Sequence, residues 1–135
     1  MTLLDRIKAR WAAATSGPYE AITTGVRGGD HWYVCAADES IASIASNDGI
    51  NEEQREPDAL AFAAAPTDIA ALIAAVEAVE KLADAWEARG TSDMAYSKTI
   101  PDEGIAMTIL ADGASMVENA RHIRTALAPV LGDNT

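Results

Sequence analysis

His31-Trp32-Tyr33-Val34-Cys35-Ala36 decides the fold, because most of the remaining chain reads as helix. Aromatic, β-branched and small side chains in this density suit a pleated, half-buried strand. Upstream, Tyr19-Glu20-Ala21-Ile22-Thr23-Thr24 has the same character, and Gly25-Val26-Arg27-Gly28-Gly29-Asp30 between the two can turn a hairpin. Asp38-Glu39 marks a second turn and Ser40 to Ala45 a third strand. A sheet of three short antiparallel strands needs helices on one face to be stable.

Outward from the sheet, the pattern changes to a helical period. Leu4, Ile7, Trp11 and Ala14 recur at three- and four-residue steps, with Thr2 and Asp5 as a capping pair, so a helix is expected from about Leu3 to Ala14. Gly17 and Pro18 stop it. Residues 46–57, rich in Asn, Asp and Glu, read as an exposed acidic loop. Asp58 opens a short helix from Ala59 to Ala65, which Pro66 is expected to break before Thr67 or Asp68 caps a longer one. Ile69, Leu72, Ile73, Val76, Val79, Leu82, Ala83 and Trp86 form its apolar stripe, and Arg89-Gly90 is expected to close it. Asp102-Glu103 suits the start of a final helix. Ile105, Ile109, Met116, Ala120, Ile123 and Leu127 line one of its faces, and Leu110, Ala114 and Val117 an adjacent one. Gly104 and Gly113 weaken this helix by about 1 kcal/mol each unless something packs closely against them. Its double-width apolar face points to a partner helix from another copy.

The expected class is α+β: a three-stranded antiparallel sheet packed with an N-terminal helix and two long C-terminal helices. At 135 residues the chain is read as one domain. Its parts are 1–45 (helix plus hairpin and meander), 46–57 (acidic loop), 58–90 (helical) and 91–135 (final helix and tail).

Hydrophobic residues make up 49% of the chain but aromatics only 5%, so the core is thin and suits closely packed helices. A net charge of −11 repels phosphate backbones and anionic lipids, which argues against direct nucleic-acid binding. It leaves room for a local basic pocket, since screening confines surface charge effects to roughly 10 Å. One cysteine, Cys35, allows no intrachain disulfide and fits a reducing compartment. With no apolar run at the N-terminus, and the alanine-rich stretch from Ala59 to Val79 interrupted at Pro66, no membrane segment is expected and the location is read as cytoplasmic.

Catalytic constellations fail one by one. His31 and Cys35 share a strand face but stand roughly 13 Å apart along it, too far for proton transfer. One cysteine and two distant histidines match no zinc spacing, so no metal and no cofactor are expected. Gly25, Gly28 and Gly29 surround Arg27 without the Gly-Lys-Ser/Thr of a phosphate loop. Two readings of the hairpin stay open. Trp32 and Tyr33 are packing residues, or else Arg27, His31, Trp32 and Tyr33 stack on a nucleobase and hold a phosphate. Arg121, His122 and Arg124 likewise either offset the dipole of the last helix or contribute to anion binding.

Three passages together resemble the Ead-type early accessory proteins of tailed bacteriophages, including many from actinobacterial phages. The first is Trp11-Ala12-Ala13-Ala14-Thr15-Ser16-Gly17-Pro18-Tyr19, similar to that family's alanine-rich opener followed by Thr-x-Gly-Pro and an aromatic. The second is the hairpin with Trp32. The third is Asp58-Ala59-Leu60-Ala61-Phe62-Ala63-Ala64-Ala65, followed by Thr67-Asp68-Ile69 and a leucine-bearing helix. Tyr19 stands where the family commonly has tryptophan, and residues from Thr91 onward have no counterpart.

The resemblance implies a phage accessory protein that acts against or upon the host, in a family without a general assigned enzymatic activity, and the failure of every catalytic constellation makes a non-enzymatic binding role the expectation. The expected function is sequestration of a nucleotide-derived immune signal in a homo-oligomer joined through the C-terminal helices. Arg27, His31, Trp32 and Tyr33 would form the grip, with Arg121, His122 and Arg124 as a further shell. The alternative is an acidic DNA mimic or adaptor that inhibits a host nucleic-acid enzyme, with Glu52, Glu53 and Glu56 among its carboxylates.

Overall fold

The computed structural model describes residues 1–23, 31–37, 39–45 and 52–132. The fold over these residues is α+β. In chain order come α1 (Leu3–Ala13), β1 (Tyr19–Thr23), β2 (His31–Ala36), β3 (Glu39–Ala45), α2 (Glu52–Ser97) and α3 (Glu103–Leu131). The hairpin tip with Arg27, and residues 46–51 of the expected acidic loop, lie outside the described residues.

The chain forms two compact units, Lys8–Leu72 and Met1–Ile7 with Ile73–Thr135. In the first, the strands lie in the order β1-β2-β3, all antiparallel. Tyr33 sits opposite Ile22 on one side and Ser43 on the other, and a bulge between Val34 and Cys35 shifts the β3 register. Among the described residues of the sheet, Val34, Ala36 and Ile44 are buried, with Val34 only 2% exposed, and Ala59 and Arg55 of α2 are buried in the same unit. At the joint between α1 and β1, the Tyr19 hydroxyl donates to the Thr15 carbonyl at 2.6 Å. A Cβ placed on Gly17 would stand 3.8 Å from that of Pro66, so this joint and the proline of α2 are neighbours.

In the second unit, Thr2 and Asp5 cap the start of α1 reciprocally. Each backbone N–H donates to the other's side chain at 3.0 Å, which satisfies two otherwise unpaired donors. Asp102 caps α3 by accepting from the Ile105 N–H at 3.0 Å. The two long helices form an antiparallel hairpin: Gly90 faces Gly113, while Asp84, earlier on α2, meets Arg124, later on α3. Small residues line the seam every seven positions, Ala83, Gly90 and Ser97 on α2 and Gly113 and Ala120 on α3, and all five are buried. A seven-residue repeat keeps one stripe facing the partner helix along its length.

Helix α2 departs from expectation at three places. It begins at Glu52, so the C-terminal end of the predicted acidic loop is helical and Arg55 there is buried. It runs through Pro57 and Pro66 instead of breaking. Alanine is the strongest helix former, and the alanines on both sides of Pro66 offset the roughly 3 kcal/mol that an interior proline costs. Finally, it continues past Gly90 to Ser97, because Gly90 belongs to the seam and ends nothing. The continuous helix also removes the interruption on which the absence of a membrane segment rested. A stretch of 18 residues within Glu53–Ser97 reaches a mean hydropathy of 1.9, long and apolar enough by composition to cross a bilayer.

Candidate functional site

The sheet sorts the hairpin residues by parity, since successive side chains on a strand point to opposite faces. Trp32, Val34 and Ala36 share the face that holds the buried residues, together with their cross-strand partner Ile44. His31, Tyr33 and Cys35 share the other. The expectation that Trp32 and Tyr33 grip one ligand is therefore corrected: adjacent strand positions cannot serve the same face. Trp32 is a half-buried packing residue of the inner side.

On the outer side, the His31 and Tyr33 rings stand stacked, with centroids 6.4 Å apart and planes 17° from parallel. His31 is exposed and Tyr33 half-buried. Around Tyr33 the register places Ile22, which is exposed, and Ser43. Below them on the same face Cys35 lies opposite Glu20. The backbone beneath His31 is tied to β1, where the Thr23 hydroxyl donates to the His31 carbonyl at 3.2 Å. The face thus offers two ordered flat rings, an apolar side chain and a hydroxyl, held on paired strands. Ile22 and Ser43 were absent from the sequence reading, and only the register could supply them.

The basic residues of α3 are occupied. Glu118 accepts from Arg121 through both carboxylate oxygens and lies 3.0 Å from His122 Nε2. Arg124 bridges Asp84 at 2.8 Å and Glu87 at 2.6 Å, both on α2. The hydrogen bond from Arg121, reinforced by the charges of Arg121 and His122, holds the Glu118 carboxyl below its ordinary range. Hydrogen bonds to Glu87 and Asp84 hold Arg124 all the more firmly protonated. Three carboxylates therefore answer two guanidinium groups and one imidazole, which leaves no positive surplus for an anion. Arg121, His122 and Arg124, expected to contribute to anion binding, are instead held in ion pairs, the first two by Glu118 within α3 and Arg124 by the two carboxylates that tie α3 to α2. Glu118, three residues before Arg121, was visible in the sequence, whereas Asp84 and Glu87 are remote from Arg124 along the chain.

Among the described residues, no group of three or more His, Cys, Asp or Glu side chains is placed to hold a metal ion. Comparison with protein-family models, with curated proteins and with solved structures finds no match.

Proposed function

We propose that this chain is a non-enzymatic binding protein of phage type that counters host defence in the bacterial cytoplasm by holding a nucleotide-derived signal on the outer face of its sheet. The observation that carries the reading is the stacked pair His31 and Tyr33 on a face bordered by Ile22 and Ser43. Bases stack on aromatic faces with little regard to sequence, and rings already ordered lose less freedom when a ligand arrives. Arg27, four residues before His31 in the sequence, is the cation that the reading assigns to a phosphate. Trp32 supports the strand from the opposite face, and the basic residues of α3 take no part.

The test is calorimetry of the purified protein against cyclic nucleotides and ADP-ribose derivatives. Binding is expected, with the ligand returned chemically unchanged on denaturation. Absence of heat across the panel removes the reading, and a converted ligand makes the protein an enzyme.

A second reading, an acidic adaptor on a host protein, is favoured by one observation: Leu60 of α2 is exposed one helical turn from the exposed Glu56, which lies one turn from the exposed Glu53. Apolar anchors rimmed by charge are a common form of protein-binding surface. Charge reversal at Glu53 and Glu56 abolishes activity in an adaptor and leaves a nucleotide binder working.

A further inference from the structure

We propose that one flank of the α2–α3 hairpin is the docking face for a second copy of this chain, so that two hairpins join into a four-helix assembly. The seam positions fix which flank. Arg124, four residues after the seam residue Ala120, meets Glu87, four residues after the seam residue Ala83. Four steps beyond the seam on either helix therefore lead to the same side of the hairpin. Positions one before and three after the seam lead to the other side, again on both helices.

That other side is apolar. On α2 it carries Val79, Leu82 and Trp86, and on α3 Ile105, Ile109 and Met116. Val79, Leu82 and Ile105 are 40%, 45% and 54% exposed. The charges on this side are few: Arg89 and Asp93, which face each other at 3.6 Å, and Asp112. The Arg124 side, by contrast, bears Glu80, Asp84 and Glu87 on α2 alone.

Charge and area both select a second copy as the occupant. Two chains that each carry a net charge of −11 repel wherever their acidic surfaces meet. This nearly neutral flank is where two copies can approach without that cost. From Ile73 to Ser97 the α2 side of the hairpin is roughly 37 Å long at 1.5 Å rise per residue. Two helices side by side at about 8–10 Å separation make it about 18 Å wide, a flat footprint of roughly 650 Å². Side-chain relief raises the accessible area above that footprint, toward the roughly 800 Å² that each partner contributes to a stable interface. The inference does not depend on the nucleotide reading, since the sheet face belongs to the other unit and the dimer forms without ligand.

Sedimentation velocity of the full chain from low to high micromolar concentration tests it, alongside Leu82→Glu, Ile105→Glu and, on the opposite side, Glu80→Gln. The wild type and Glu80→Gln are expected to sediment as dimers. Each glutamate variant should keep its helical circular dichroism and weaken association at least about 100-fold, because a two-fold interface meets the change twice. If a glutamate variant loses helix, Leu82→Ala carries the test and must weaken the dimer about tenfold. A wild type that stays monomeric at every concentration overturns the proposal. So does a dimer indifferent to these substitutions, or a monomer that floats with phosphatidylcholine–phosphatidylglycerol vesicles.

Discussion

Gly90 and Gly113 meet backbone to backbone: a Cβ built on Gly113 would stand 2.7 Å from the Gly90 carbonyl oxygen, and one on Gly90 would be driven into the Gly113 carbonyl. Neither neighbour is the yielding end of a side chain, so an added methyl must push the helices apart. Gly113→Ala is therefore expected to destabilise the protein by about 2 kcal/mol, the overpacking strain outweighing the helix-propensity gain of about 1 kcal/mol. Gly104, in the first turn of α3, has only the Asp102 carboxylate within reach, at 3.4 Å. Gly104→Ala should stabilise by about 0.5–1 kcal/mol. Urea unfolding followed by circular dichroism reads both, and equal stabilisation by the two substitutions would show that the seam is not closely packed.

The turn between β2 and β3 holds a second backbone constraint. Ala37 has a φ of 50°, in the left-handed region where a Cβ crowds the following carbonyl. Glycine has no such conflict, so Ala37→Gly should raise stability by about 1 kcal/mol despite glycine's greater freedom in the unfolded chain. A lower midpoint in thermal unfolding would mean that the turn adopts another conformation in solution.

Substitutions at adjacent positions of β2 should separate stability from binding. Trp32→Ala removes a half-buried ring from the inner face and is expected to cost about 2–3 kcal/mol in unfolding free energy. Tyr33→Ala removes one member of the outer stacked pair and should abolish nucleotide binding with a much smaller effect on unfolding. Unfolding curves and calorimetry on the same two variants check this, and the opposite assignment would move the ligand to the inner side of the sheet.

How far the sequence could be read follows from the range of each interaction. The strands were legible because strand-forming residues, turn glycines and their order along the chain are local signals, and His31–Ala36 emerges with the bounds expected of it. The caps at Thr2–Asp5 and Asp102 were legible for the same reason. Gly90 was misread because a glycine that stops a helix and a glycine that lets another helix approach look alike until Gly113 is seen opposite. Pro66 was misread because a single residue's cost was weighed without the alanines around it. The shared grip of Trp32 and Tyr33 conflicts with the strand period that predicts β2 itself. Arg124 looked free because Asp84 and Glu87 reach it only through the fold of the hairpin.

The ion-pair array on α3 makes a prediction about pH. The hydrogen bond from Arg121 is the chief cause that holds the Glu118 carboxyl below the usual glutamate value, with the charges of Arg121 and then His122 adding to it. A carboxyl with a lowered folded-state pKa binds its proton less readily when folded than when unfolded. Its contribution to stability is therefore complete above the ordinary glutamate pKa and disappears as the pH falls through the depressed value. Carbon-detected NMR titration of the side chain should place the Glu118 midpoint on the acid side of an unperturbed glutamate. In Arg121→Ala the midpoint should return to the ordinary glutamate range, because the desolvation that opposes the shift outweighs the charge of His122 that remains. A Glu118 midpoint that Arg121→Ala leaves unmoved would show that the arginine is solvated in solution, and that α3 carries a free cation where the structure has an occupied one.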